Sequence, residues 1–440
     1  MLKFLTKDNQ SHRFIYQLKN LSFFNLLLDW AQKFETISYL QSSDYYKDNI
    51  SQYSYHKYDF LLAFNTTKTN ETEYFNISQL NLYFKENKDW LFGYFSYNLK
   101  EDLYKLQSKN KDMLLFNKVY FFQPDIVITS KNKVITLESK TEIDIPQFIS
   151  EIEQYSINSI QDKSKVNFKA RISKSIYTKT VNEIKEQIQA GNIYEMNYCQ
   201  EFYDDNCEIN SWQTFQKLNS ISPTPFSAYF RQKDKYLLSA SPERFIRRIN
   251  NKIIGQPIKG TIRKTDDLQE NLALINDLRN SSKEQAENVM IVDLVRNDLS
   301  QIAKQKSVKV EELFGIYSFK QLYQMISTIS AEVKENISTI DIIKANFPMG
   351  SMTGAPKLSA MKIIDQYEAT NRGLYSGSVG YFSPNGDFDF NVVIRSLLYN
   401  ESKKYLSYTV GSAITIQSEA ELEYEECLLK AKAINDTFKQ

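Results

Sequence analysis

Histidine is almost missing from this chain: 440 residues hold only His12 and His56, so beyond residue 56 no imidazole is available for acid–base work. A zinc site is poorly supported for the same reason. Any metal further along must take oxygen ligands, which favours magnesium or calcium. Cysteine is scarce as well. Cys199, Cys207 and Cys427 show no CxxC spacing and read as free thiols in a reducing compartment. No excess of either charge exists, with 54 Lys+Arg against 53 Asp+Glu, which removes the electrostatic grounds for a nucleic-acid or membrane partner. No run of about 18 apolar residues is found, and the opening MLKFLTKDNQ turns polar at once rather than continuing as a leader. The expectation is a cytoplasmic protein.

Apolar side chains are plentiful. At 42% hydrophobic and 14% aromatic the chain can bury a sizeable core. Its length exceeds one compact core, so two domains or one large interwoven α+β unit is expected. Residues 1–155 are rich in Tyr, Phe, Asn and Lys; LFGYFSYNL (91–99) and VYFFQPDIVIT (119–129) read there as strands. A polar stretch over 155–172 reads as the connection to a second region, 170–436. In that region TVNEIKEQIQAGNIY sets Val181, Ile184 and Ile188 at helical spacing, with Gly191 as a C-terminal cap. GLYSGSVGYF, DFDFNVVIRSLLY and KYLSYTVGSAIT read as three successive strands, joined by turns at Pro384-Asn385-Gly386 and Asn400-Glu401-Ser402. In the middle one, Phe388, Phe390, Val392 and Ile394 would face one side and Asp389, Asn391 and Arg395 the other. Helices separated from such a meander predict an α+β fold with antiparallel sheets.

Two acidic pairs stand out. KEQAENVMIVDLVRNDL (283–299) predicts a helix with Glu284 and Glu287 at i, i+3; EAELEYEECLLKAKAI (419–434) predicts another with Glu423 and Glu426 at i, i+3 and Lys430 one turn beyond. Either these are ordinary solvated faces, or the two faces meet around a cation such as magnesium. Asp293, Arg296 and Asn297 inside the first helix suggest a buried polar network. SASPERF (239–245) and GQPIKGTIRK (255–264) flank a turn at Asn250-Asn251, which would set Glu243 beside Lys259. A lysine becomes a nucleophile only where burial or a nearby base manages its proton; the alternative is a solvated lysine beside a turn. The Gly/Ser/Thr loop 350–354, with Pro356 opening a helix, offers free N–H groups to a carboxylate or phosphate. It is not a Walker A loop. Gly411-Ser412-Ala413 after a strand reads as a second nest of amides. Arg395 is either a bidentate carboxylate clamp or a salt bridge on the sheet face.

In order along the chain, GNIYEMNYCQEF, SPERF, PIKGT, AENVMIVDLVRNDL, GSMTGAPK, RGLYSG, NVVIRS and EYEECLLKA resemble the chorismate-utilising family of anthranilate, aminodeoxychorismate and isochorismate synthase large chains. The resemblance covers residues 170–435 and implies an anthranilate-synthase-component-I-like fold, with antiparallel sheets packed in a sandwich and flanking helices. It places magnesium on Glu287 and Glu426 with Glu284 and Glu423 alongside. Substrate contacts fall on Tyr375, Arg395, Gly411, Ser412, Ala413 and Lys430, and Thr353 and Gly354 join the loop lining the ring site. PIKGT with Lys259, where anthranilate synthases have PIAGT, resembles the aminodeoxychorismate synthases, as does GSxTGAPK. That implies capture of C2 of chorismate by Lys259 as the C4 hydroxyl leaves, ammonia addition at C4, and proton handling by Glu243. It also implies a separate glutamine amidotransferase as ammonia source. Amination at C2 or a water-using isochorismate chemistry is the alternative. Three positions depart from the family pattern: Gln324 stands where a histidine is usual, Glu195 where a glutamine is usual, and Ser412-Ala413 within the Gly-rich segment.

Overall fold

The computed structural model describes residues 3–7, 13–18, 24–42, 58–66, 73–155 and 166–439. Most of the polar stretch 155–172 lies outside them. The elements that position the site are β1 (Glu195–Asp204), β2 (Lys235–Ser241), β3 (Arg244–Ile249), β4 (Lys252–Gln256), β5 (Ile258–Arg263), α1 (Ser282–Ile302), β6 (Leu322–Glu332), α2 (Lys357–Tyr367), β7 (Phe388–Asn391), β8 (Ser396–Asn400), β9 (Tyr405–Ile414) and α3 (Ala420–Thr437).

Among the described residues thirteen strands form one sheet and ten another, and every pairing is antiparallel. The first sheet runs from N-terminal strands such as Phe60–Phe64 and Thr36–Gln41 through Phe226–Gln232 to β2, β8, β9 and β1. The second runs β5, β6, β4, β3, β7, Ser378–Phe382, Leu91–Phe95 and Val119–Phe122. Each sheet thus draws strands from both regions, 1–155 and 170–436, and the unit is interwoven. The fold is α+β.

Strands such as FLLAF (60–64) are apolar at every position because both faces of the first sheet are covered. Leu61, Ala63, Ala228, Phe230, Leu237 and Leu398 face the second sheet and meet its Phe92, Tyr94, Phe121, Ile246 and Phe390. Tyr94 and Phe230 pack edge-on, with ring centroids 5.5 Å apart. The alternate set, Phe60, Leu62, Phe64, Tyr229, Leu238 and Leu397, faces the helices, α2 and α3 included. Period-2 alternation sorts one strand between two cores.

DFDFNVVIRSLLY does not form one strand. It divides into β7 in the second sheet and β8 in the first, and residues 392–395 carry the chain across the sandwich, with Arg395 at φ +50°. The expected alternation therefore stops before Arg395. SASPERF crosses in the reverse sense, from β2 to β3 through residues 242–243. The two crossings are stitched together: Val392 N–H donates to Glu243 O at 3.0 Å, and Ser241 Oγ donates to Val392 O at 2.6 Å. Buried Arg244 locks them from β3 through a fork onto Asp389 of β7 at 2.9 and 3.1 Å.

Within α1 the expected buried network is not formed by Asp293, Arg296 and Asn297, which are exposed; Arg296 pairs with Asp293 at 2.7 Å on the solvent side. Helical phase turns the next residue inward instead. Asp298 is buried and takes Lys357 of α2 at 2.6 Å. Among the described residues the three cysteines are buried and form no disulfide. Among the described residues no helix is long and apolar enough to cross a membrane.

Candidate active site

A cavity of about 240 Å³ opens between the two sheet crossings, α1, α3 and the loop before α2. Lys259, Glu243, Tyr375, Arg395, Gly411, Ala413, Lys430, Glu284, Glu287, Glu423 and Glu426 all line it. Residues far apart in sequence therefore share one space.

Lys259 reaches it through a bulge. The β5–β6 register slips between Ile258 and Thr261, opposite Ile326 and Gln324, and Gly260 in the slip has φ +98°. A bulge with glycine in the left-handed region re-aims the neighbouring side chain. Asn288 of α1 donates to Lys259 O at 3.4 Å and accepts from Ser327 Oγ at 2.6 Å, which ties the bulge to the helix. The Asn250-Asn251 turn forms as expected, with Asn250 at φ +54°, and brings β3 and β4 together. The lysine side chain is 11% exposed and lies 3.8 Å from Glu195 Oε2.

Glu243 sits on the crossing between β2 and β3, 4% exposed. Its Oε1 accepts from Ser351 Oγ at 2.6 Å. Burial pushes its carboxyl up to about 7, against the pull of Ser351, Lys259 and Arg395. It is an acid that holds its proton near neutral pH. Arg395 is carried into the cavity by its left-handed backbone. Burial lowers its guanidinium to about 10, and that guanidinium makes no hydrogen bond or ion pair among the described residues. An uncommitted fork of donors in a cavity is suited to receive a carboxylate. The salt-bridge alternative does not arise.

The two helix faces do meet. Glu284 and Glu287 come from α1, Glu423 and Glu426 from α3, and three lysines share the space with them. Lys430 pairs with Glu426 at 2.6 Å and donates to Gly411 O at 2.9 Å; Lys283 lies 3.7 Å from Glu423. Burial raises Glu284, and raises Glu287 to about 7. Burial acts upward on Glu426 too, but the Lys430, Lys283 and Lys259 ammoniums together outweigh it and the carboxyl is lowered. No three carboxylates among the described residues are gathered tightly enough to hold a metal by themselves. Magnesium, however, ordinarily takes one or two carboxylates and completes its shell with waters and substrate oxygens. Glu287 Oε1 is buried and has no hydrogen-bond partner among the described residues. The donor set fits such an ion.

Three expected contacts lie behind the wall instead. Thr353 is fully buried and its hydroxyl donates to the carbonyls of Met349 and Gly350. Gly354 pairs with Met196 of β1, so closely that a Cβ there would come within 2.2 Å of Glu195 O. Ser412 turns to the far face of β9, where its hydroxyl meets Tyr177. Gly411–Ala413 is strand interior paired to β1 and not a loop after a strand. β8 pairs with β9 only up to Ser407, and Thr409, Val410, Gly411 and Ala413 border the cavity.

Sequence reasoning missed Lys283 and Ser351. The hydroxyl between two glycines in the 350–354 loop was the available signal for Ser351. Gln324 lines the cavity, 3% exposed, with Oε1 lacking a hydrogen-bond partner among the described residues.

Residues 26–436 match the family described as chorismate binding enzyme. The chain belongs to that family. It is 35% identical to aminodeoxychorismate synthase component 1 of Escherichia coli K12 over 309 residues, 70% of this chain and 67% of that one. Its 38% identity to the Salmonella typhimurium component 1 extends over 267 residues, 61% of this chain and 58% of that relative. Among solved structures, this chorismate-binding chain matches anthranilate synthase component I from Streptococcus pneumoniae TIGR4 at TM-score 0.70 and 25% identity, over 79% and 80% of the two chains.

Proposed function

We propose that this chain is component 1 of an aminodeoxychorismate synthase, converting chorismate and ammonia to 4-amino-4-deoxychorismate. The observation that carries this reading is Lys259, bulged into the cavity beside Glu243. Arg395 and Lys430 hold carboxylates of the substrate. Lys259 attacks C2; the two ring π pairs each shift by one bond, and the C4–O bond breaks. Glu243, protonated near neutral pH, gives the departing hydroxide its proton. Ammonia then bonds to C4 while the C2–N bond breaks and the lysine amine departs. Gln324 can orient the hydroxyl by hydrogen bonding but has no proton of suitable acidity to give.

Glu287 and Glu426 would hold magnesium, with Glu284 and Glu423 beside them. When bound, that ion supplies positive charge to anchor a ring carboxylate. Lys283 and Lys430 limit the repulsion among these carboxylates. Ammonia comes from a separate glutamine amidotransferase, for which ammonium at high concentration should substitute.

Incubating the purified chain with chorismate, magnesium and ammonium should yield 4-amino-4-deoxychorismate, identified by mass and fluorescence. Anthranilate or isochorismate as main product would sink the reading. Lys259→Ala should abolish C4 amination while chorismate still binds.

A further inference from the structure

Lys259 and Glu195 face each other as a buried, loosely spaced pair. The lysine side chain is 11% exposed and the glutamate 2%, with Nζ and Oε2 3.8 Å apart, and Oε2 has no hydrogen-bond partner among the described residues. A buried ion pair without close hydrogen bonds regains little of its desolvation cost. Moving one proton from nitrogen to oxygen would leave two neutral groups, one of them a free amine. Glu195 is also held in place. It sits on β1, where Ala355 and Gly354 pair with Glu195 and Met196 on one side and Ile414 pairs with Met196 on the other. Gly354, which tolerates no Cβ, is what permits this close approach.

We propose that Glu195 is the positioning residue for Lys259: its carboxylate holds Nζ toward the cavity and takes the proton that must leave it before a carbon–nitrogen bond can form. The inference rests on the lysine-capture reading above. The other carboxylates facing Lys259 are Glu284 and Glu287 from α1, Glu243 from the crossing and Glu426 from α3. Glu426 is engaged by Lys430, and Glu243 by Ser351. The protons balance. The ammonium gives one proton to Glu195, and the amine attacks C2 to become a secondary ammonium. When ammonia displaces it, the C2–N bond pair returns to nitrogen and the lysine leaves as a neutral amine. Glu195 then returns its proton. Hydroxide from C4 takes the Glu243 proton and leaves as water, and the new C4 ammonium gives one proton back to Glu243.

The test is Glu195→Gln, assayed with chorismate, magnesium and saturating ammonium. Loss of a positioned proton acceptor costs about a hundredfold in kcat, and the KM for chorismate should stay within about twofold of wild type by the same reasoning. In the variant solvent must deprotonate the lysine, so log kcat should climb by about one per pH unit above about pH 7, steeper than in wild type. If Glu195→Gln does not fold, Glu195→Asp decides, keeping the charge but withdrawing it by one methylene. Its kcat should fall while the wild-type pH profile is retained. Unchanged kcat in Glu195→Gln, or a loss equal at every pH, would overturn the inference while a lysine adduct in wild type left the capture reading standing. No adduct in wild type, with Lys259→Ala fully active, would overturn both.

Discussion

Glu243→Gln replaces an oxygen that can ionise by an amide that cannot, at a site almost closed to water, and its effect on stability should depend on pH. Burial raises the Glu243 carboxyl from 4.5 to about 7. The fold therefore prefers the neutral acid. The stability this gives is fully present below about pH 4.5, the value in the unfolded chain, and is lost as pH rises through about 7. A pKa difference of one between folded and unfolded chains is worth about 1.36 kcal/mol, so wild type at about pH 8.5 bears about 3 kcal/mol that it does not bear at about pH 4.5. The glutamine bears none of it. Any fixed cost of the substitution, such as an altered bond to Ser351, is the same at both ends. At about 2.1 cal/mol/K of unfolding entropy per residue, 440 residues convert about 3 kcal/mol into about 3 °C. Differential scanning calorimetry of both proteins between about pH 4.5 and 8.5 should show the variant gaining about 3 °C on wild type across that range, by the same arithmetic. A gap between the two that stays constant with pH would refute the buried acid. The same variant should lose about a hundredfold or more in kcat if Glu243 is the proton donor.

Arg395→Lys keeps the charge but loses the fork, and should raise the KM for chorismate by about tenfold or more, read from initial rates. Glu287→Gln should shift the magnesium dependence of activity to higher concentration, measured by titration at fixed chorismate. It should also relieve the cost of ionising a carboxyl raised to about 7, so its thermal stability relative to wild type should improve from about pH 5 to about pH 8.5. Gly354→Ala sets a Cβ 2.2 Å from the Glu195 carbonyl, in backbone that cannot yield cheaply, and should cost about 3 kcal/mol by chemical denaturation.

The helices bearing the acidic pairs were legible because i, i+3 spacing on an amphipathic segment fixes a face whatever the surroundings. The turn at Asn250-Asn251 was legible, but its hairpin ends at Gln256; Lys259 lies on β5, paired to β6, and not on a strand next to Glu243 as the spacing suggested. Gly191 capped its helix at φ +78° as the pattern requires. Depth along a face was not. Thr353 and Ser412 have the right chemistry for a substrate contact, but nothing in their spacing reveals that one hydroxyl is consumed by carbonyls and the other by Tyr177. Asp293 and Asp298 differ by five positions on one helix, enough to put one in water and one against Lys357. Only the packing partner decides which.

The deeper gap concerns continuity. DFDFNVVIRSLLY alternates as one strand should, and alternation says which side a residue faces but not to which sheet the strand belongs. The reacting groups lie where continuity fails. Glu243 sits on one crossing between sheets, Arg395 on the other, and Lys259 in a bulge just after Pro257. A side chain within a strand of this sandwich has two destinations, the core between the sheets or the core under the helices, and both are apolar. A charged group buried there needs a partner, as Asp389 of β7 has in Arg244. At a break the backbone leaves both ladders, and a third direction opens into the cavity. Glu243, Arg395 and Lys259 sit at the breaks because there a polar group can be buried facing the cavity and not driven into a hydrophobic core.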